Sequence, residues 1–344
     1  MPCCTGLWSQ YVRRDMISQL SFSRWLYVVS GIVLTLVLAY PLQAKIAKED
    51  QVLRSAFSGQ RAAEAFLISL ARVEERIFAT GQGGIIIFSD DEGVSWTQSE
   101  VPITVTITSI TFADAEHGWA VGHDLTILHT SDGGLTWRLQ YFDPEVDTPL
   151  LDVWFKDQST GYAVGGRGNF MWTTDGGKVW NIKEVWTDDE LVPDAHLFTI
   201  RSAPNGFLYM VAEVGTLFRS KDNGENWEVL DSPYRGSFFG MTFPDDNTAI
   251  AYAMLGNAAI SSDLGDSWSS LSLPVNKSLM TDHISDDGTV VLAGLAGAIV
   301  VSNDGGKTFQ DRSLEDRIDI TGILPLKNGK WLVASGKGVI EVEF

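Results

Sequence analysis

The fold that the sequence predicts is an all-β, seven-bladed propeller of four-stranded antiparallel blades. Three observations carry it: one short phrase recurs six times, its copies stand about forty residues apart, and short apolar runs broken by glycine turns fill the intervals. The phrase is Ser or Thr, Asp two residues on, Gly at four and an aromatic at seven. Its copies are SDDEGVSW (Ser89 to Trp96), TSDGGLTW (Thr130 to Trp137), TTDGGKVW (Thr173 to Trp180), SKDNGENW (Ser220 to Trp227), SSDLGDSW (Ser261 to Trp268) and SNDGGKTF (Ser302 to Phe309). Their aspartates, Asp91, Asp132, Asp175, Asp222, Asp263 and Asp304, are 41, 43, 47, 41 and 41 residues apart.

Within one period, ITSITF (Ile107 to Phe112), GWAVG (Gly118 to Gly122), TILHT (Thr126 to Thr130) and TWRLQ (Thr136 to Gln140) read as four strands in series. The first strand of blade one is placed at AFLISL (Ala65 to Leu70). After Asp304, Trp331 to Phe344 supplies inner strands but no seventh box, so the last blade is expected to lack its outer strand. An open sheet edge invites pairing, and DQVLRSAF (Asp50 to Phe57) has strand character, so this N-terminal strand is expected to complete the last blade.

Each box falls where the third strand turns into the fourth. Glycine there can adopt positive φ, the aspartate can accept backbone N–H bonds, and the aromatic can cover the hairpin. Six carboxylates on six separate blades cannot converge on one substrate, so they read as turn residues. Alternating strand direction puts the boxes on one face and the second-to-third-strand turns, with the blade connections, on the other.

Composition narrows the function. With 25 Lys+Arg against 44 Asp+Glu, the formal charge is −19, which argues against nucleic acid or an anionic lipid surface as a main partner. Within RWLYVVSGIVLTLVLAYPLQA (Arg24 to Ala44) the apolar run Trp25 to Tyr40, sixteen residues, has the length of a signal-peptide core rather than of a spanning helix. The expected organisation is therefore residues 1–44 as a signal peptide, or an uncleaved anchor over residues 25–42, and residues 45–344 as the propeller, in the periplasm or a lumen. Met16 is an alternative start. Cys3 and Cys4 both precede the expected cleavage after Ala44, so the exported chain would carry no disulfide, thiol nucleophile or cysteine metal site.

No catalytic constellation is evident. The histidines, His117, His123, His129, His196 and His283, lack metal spacing, and GGRGNF (Gly165 to Phe170) joins two strands rather than a strand and a helix. Adjacent acids at Asp188 to Glu190, Asp245 and Asp246, and Asp286 and Asp287 read as solvated loop faces. The candidates for partner binding are on the face opposite the boxes. They are Arg167 in the second-to-third-strand turn of blade three, Arg235 in the connection into blade five, His123 and Asp124 in the corresponding turn of blade two, and Trp186 in the long connection Lys183 to His196.

The boxes look like the bacterial neuraminidase, or Asp-box, repeat. The fuller phrase SITFADAEHGWAVGHDLTILHTSDGGLTW (Ser109 to Trp137), with its echoes LLDVWFKDQSTGYAVGGRGNFMWTTDGGKVW (Leu150 to Trp180) and RIFATGQGGIIIFSDDEGVSW (Arg76 to Trp96), is similar to the photosystem II stability and assembly factor family. That resemblance implies an exported seven-bladed scaffold, monomeric and without cofactor or enzymatic activity. Its partner would be an integral-membrane complex or its soluble tail, met through an arginine-bearing face. Relatives with this grammar also occur in bacteria that lack photosynthesis. The boxes alone also allow a sialidase-type glycoside hydrolase, which would need three converging arginines and a tyrosine beside an acid, or a glycan-binding propeller.

Overall fold

The computed structural model describes residues 54–56, 61–183, 185 and 195–344. Its strands form seven antiparallel sheets, six of four strands and one of three, each made of strands consecutive in the chain. Blade two has its strands at Ile107–Phe112, Gly118–Gly122, Ile127–Thr130 and Arg138–Tyr141, within two residues of the sequence expectation. Blade one begins at Leu67–Val73.

The core lies between neighbouring blades. Each second strand is covered on both faces, so its residues are apolar or small without alternation; Gly118–Gly122, Gly161–Gly165, Leu208–Ala212, Ala249–Ala253 and Val290–Gly294 are buried along their whole length. Trp119 of blade two stacks on Phe155 of blade three with centroids 3.5 Å apart and planes 6° from parallel. Around them Val121, Val153 and Met171 close one of the inter-blade clusters.

The innermost strands line a central channel, and every one carries an irregularity at its second residue. The register skips Ile68, Thr108, Leu151, Phe198, Phe239, Met280 and Thr321. Such bulges bend a strand and re-aim a side chain. Here all seven are partly exposed at the channel end away from the boxes. Thr108 and Thr321 donate their hydroxyls across the blade seam, to Leu150 O at 2.6 Å and Leu67 O at 2.9 Å.

Ring closure differs from the expectation for Asp50 to Phe57. Among the described residues blade seven has three strands, Ile320–Pro325, Trp331–Ser335 and Gly338–Val342. Of the segment expected to complete it, residues 54–56 are described, and Ala56 N donates instead to Val101 O at 2.9 Å, beside the core of blades one and two. The physical reason is that strand character fixes no partner: Ala56 has an apolar seat against Val101 and Ile103. The short 3-10 turn Ala62–Glu64 lies against Gly338, where a Cβ would collide with Ala63 O. The seam is closed by first-strand packing, by the bond from Thr321 and by Arg72, which donates to Pro325 O at 2.9 Å while pairing with Glu92 at 2.7 Å.

Candidate binding face and central channel

The six boxes share one bonding scheme, except that in blade three Val179 gives Asp175 no side-chain donor. In blade two, Thr130 Oγ1 donates to Asp132 Oδ1 at 2.7 Å and accepts from Gly134 N at 3.0 Å, while Asp132 accepts from Thr136 N and Thr136 Oγ1 at 3.0 and 2.6 Å. Glycine is required at Gly134 twice over, by φ of +83° and because a Cβ would run into the Phe78 ring of blade one. Gly133 N donates to Glu116 O, tying the box to the first-to-second-strand turn of its own blade. The aspartates are therefore consumed by their hairpins.

These bonds favour the charged carboxylate. The Ser95 hydroxyl, the Ser95 N–H and the Ser89 hydroxyl hold Asp91 at about 2 against an ordinary 3.8. Asp263 is also at about 2, chiefly through the Ser267 hydroxyl, and Asp304 lies lower still through Thr308. At Asp132 burial pushes upward, but the bonds from Thr136 and Thr130 outweigh it. A folded value below the unfolded one means stability that is complete above the unfolded pKa and is lost as pH falls through the folded one. The melting temperature should therefore fall steeply from about pH 4 to about pH 2. Asp304→Asn should flatten that slope in a calorimetric pH series, and an unchanged slope would contradict the scheme.

On the opposite face, six of the second-to-third-strand turns have the same geometry. Each puts two consecutive residues at positive φ, the first being Gly83, Asp124, Arg167, Val214, Leu255 or Ala296, with φ between 52° and 71°, and the second a glycine except at Leu125. Five of these tips are not glycine, and Val214 is β-branched, which is rare in this region. Arg167, Val214 and Leu255 are exposed, whereas Asp124 is only 7% exposed. In that turn His123 is the residue facing solvent.

A run of contacts links Arg167 to Arg235 across blade four. Gly168 N donates to Ala195 O at 2.9 Å, His196 N donates to Glu213 Oε2 at 2.9 Å, and the tip Glu213–Gly215 abuts the backbone of Tyr234 and Arg235. Val214 stands between the two arginines. Both are exposed, and neither forms an ion pair or side-chain hydrogen bond among the described residues. By contrast Arg72, Arg76, Arg201 and Arg219 are all paired with carboxylates. Trp186 lies outside the described residues, as do Asp188 to Glu190 and residues 1–44. Arg317 was not singled out from the sequence; it too is exposed on this face, its Cα beside the blade-six tip at Gly297.

The other histidines have local partners. His117 Nδ1 lies 3.0 Å from Asp114, His129 packs on His117 and Trp119, and His283 packs edge-on against Trp331. Among the described residues no three His, Cys, Asp or Glu side chains are grouped to hold a metal ion. Asp245 and Asp287 accept N–H bonds within their own turns, from Asn247 and Thr248 and from Thr289.

The central channel holds a polar cluster that the sequence did not reveal, in a cavity of about 390 Å³. Asp152 of blade three is buried and accepts from Ser109 Oγ at 2.8 Å and Ile200 N at 3.0 Å while paired with Arg201. Tyr252, also buried, donates to Asp282 Oδ1 at 2.6 Å. Its hydroxyl reaches the channel because blade five has no side chain at Gly240, where a Cβ would collide with Tyr252 Oη. Burial, then Asp282, raises the Tyr252 pKa well above its ordinary value, so it remains a donor.

The ring and its bonding scheme define an Asp-box β-propeller. Residues 92–257, from the first box to the blade-five tip, match the family described as photosynthesis system II assembly factor YCF48; over that stretch the chain is similar to the photosystem II stability and assembly factors. The photosystem II assembly protein Ycf48 of Thermosynechococcus vestitus is 39% identical over 140 residues, 39% of this chain and 38% of that one. The photosystem II assembly lipoprotein Ycf48 of Parasynechococcus marenigrum is 32% identical over 164 residues, 47% of this chain and 48% of that one. The chain thus spans about half or less of the length of these relatives. A solved structure described as YCF48 bound to D1 peptide has a TM-score of 0.65 at 20% identity, covering 80% of this chain and 92% of its own. A streptogramin B lyase has a TM-score of 0.69 at 14% identity, covering 83% and 94%. At such identities the likeness bears on the fold, and one ring can carry catalysis or none.

Proposed function

We propose that this protein is an exported, non-enzymatic scaffold that docks on an integral-membrane protein or its soluble tail through the face opposite the boxes. The observation that carries the reading is the pair of unpaired, exposed arginines, Arg167 and Arg235, set either side of Val214. On a chain of net charge −19 most basic residues would be expected to pair locally, and these do not. Arg317 extends the same face. Arginine beside an apolar contact is the composition of a protein-binding hot spot, and its planar fork suits carboxylates of a partner segment. A solved neighbour is described as bound to D1 peptide, and the named relatives are assembly proteins, which supports a membrane-protein subunit as the partner.

The sialidase-type reading finds less support. Tyr252 and Asp282 supply a tyrosine beside an acid, but among the described residues Arg201 is the single arginine lining the channel and it is committed to Asp152. One relative is named a lipoprotein, which agrees with export and with a membrane-proximal body, whether released after Ala44 or held by residues 25–42. The scaffold is proposed to act as a monomer without cofactor or nucleic acid.

Arg167→Glu combined with Arg235→Glu should abolish recovery of the partner in a pull-down from solubilised membranes, with the melting temperature unchanged. Undiminished recovery would remove this face from consideration. Turnover of an aryl glycoside panel by the purified protein would overturn the non-enzymatic reading.

A further inference from the structure

The channel lining is unbalanced in charge. Its charged members are Asp152, Arg201 and Asp282, two carboxylates against one guanidinium. Asp152 spends its oxygens on Ser109, Ile200 and Arg201. Asp282 receives one hydrogen bond, from Tyr252 to Oδ1; Oδ2 accepts none among the described residues, and no cation stands within ion-pair reach of it. A part-buried carboxylate left in this condition is costly. The surrounding geometry is built rather than incidental, since Gly240 is the vacancy through which Tyr252 is delivered to Asp282.

The channel end away from the boxes adds an apolar element. Among the bulged residues collaring it, Phe198 and Phe239 meet edge to face at 5.1 Å, with Met280 beside them on the adjoining blade. Outside the collar, on the same three blades, Val214, Leu255 and Leu295 are exposed at 50%, 63% and 38%. The tips of blades four to six and the collar thus present apolar side chains on the face that opens onto Asp282, which has no ion-pair partner among the described residues and feels Arg201 from farther off; the aromatic faces favour a cation.

We propose that the channel receives one cationic side chain on an apolar stem, the head held by Asp282 and the stem by Phe198, Phe239 and Met280. The source is a lysine or arginine of the docked partner segment; for that source the proposal rests on the docking reading above, whereas the recognition chemistry stands without it. Arg201 supplies the selectivity: it keeps Asp152 neutralised, so the site presents one negative charge rather than two, which suits a monovalent head. An anionic head would meet Asp282 and lose.

The test uses n-pentylammonium chloride as the probe, with pentanoate and 1-pentanol as isosteres. The readout is the Met280 methyl resonance of protein labelled at the methionine methyls. Pentylammonium should shift that resonance saturably, pentanoate should not, and 1-pentanol should bind at least tenfold more weakly. Asp282→Asn, which keeps an acceptor for Tyr252, should weaken pentylammonium at least tenfold. The Arg167→Glu, Arg235→Glu protein should bind the probe as the parent does, so loss of partner capture in that protein would leave this result standing. Equal binding of the three probes, or no saturable shift, overturns the proposal in the parent protein alone, whatever the folding of the variant; an unchanged affinity in folded Asp282→Asn also overturns it.

Discussion

Asp152→Ala is expected to lower unfolding stability by about 2–4 kcal/mol, measured by urea denaturation. Breaking a buried pair from one side costs about 3–5 kcal/mol, because the remaining charge is left without compensation. The lower bound is reduced because the Arg201 side chain is 39% exposed to the channel. The cost is not confined to the ion pair. Asp152 also accepts from Ser109 of blade two and Ile200 N of blade four, so one carboxylate joins three blades at the axis. The double variant Asp152→Ala, Arg201→Ala should be less destabilised than the two single losses combined, since it removes the stranded guanidinium. A loss below about 1 kcal/mol for Asp152→Ala would mean that channel water replaces the carboxylate without penalty.

Trp119→Ala should cost about 3–5 kcal/mol, the range for truncating a buried aromatic. Trp119 is wholly buried and stacked on Phe155, and its indole N–H points to Gly176 O in the box of the next blade at 3.4 Å. Its loss opens a cavity at the seam between blades two and three. Trp119→Phe should recover part of the loss by restoring a ring against Phe155. The denaturation midpoint should move with an unchanged slope if the ring still unfolds as one unit, and a changed slope would show blades separating. The same tryptophan belongs to the HGWAVG phrase that carries the family resemblance, so what marks the chain as a relative also holds two of its blades together.

What could be read from the sequence was whatever repeats. Six boxes set the blades, and strand direction then decided which turns share a face, so Arg167 and Arg235 could be placed together without coordinates. The turn aspartates Asp114, Asp157 and Asp245 were also legible in principle: FADAEHGW, FKDQSTGY and FPDDNTA each have an acid that accepts the next N–H groups, although of the three only Asp245 is named from the sequence, as a solvated loop face. The channel cluster was missed because its members come from blades three to six at positions where no two blades agree. A signal existed. LLDVWF has an acid inside its inner strand where other blades have Ser109 or Thr199, and LMTDHI has one where they have Ile110, Val153 or Ile200. Of the closure expected from Asp50 to Phe57 only residues 54–56 are described, and there Ala56 meets Val101 instead of blade seven, since a strand pattern is local while its partner is set by tertiary contacts.

The left-handed tips have a consequence for how this protein can change. A non-glycine residue at positive φ costs about 1–2 kcal/mol, and blades two to six all bear such a residue where Gly83 shows that glycine would serve. Because the backbone is the same at each, exchanging Arg, Val and Leu among the exposed tips Arg167, Val214 and Leu255 is expected to alter what the face displays at little cost to the ring, whereas Asp124 is buried in its turn. If the proposed docking face is the working one, partner choice and foldability are inherited separately, and a descendant could acquire a new client by editing a few exposed tips.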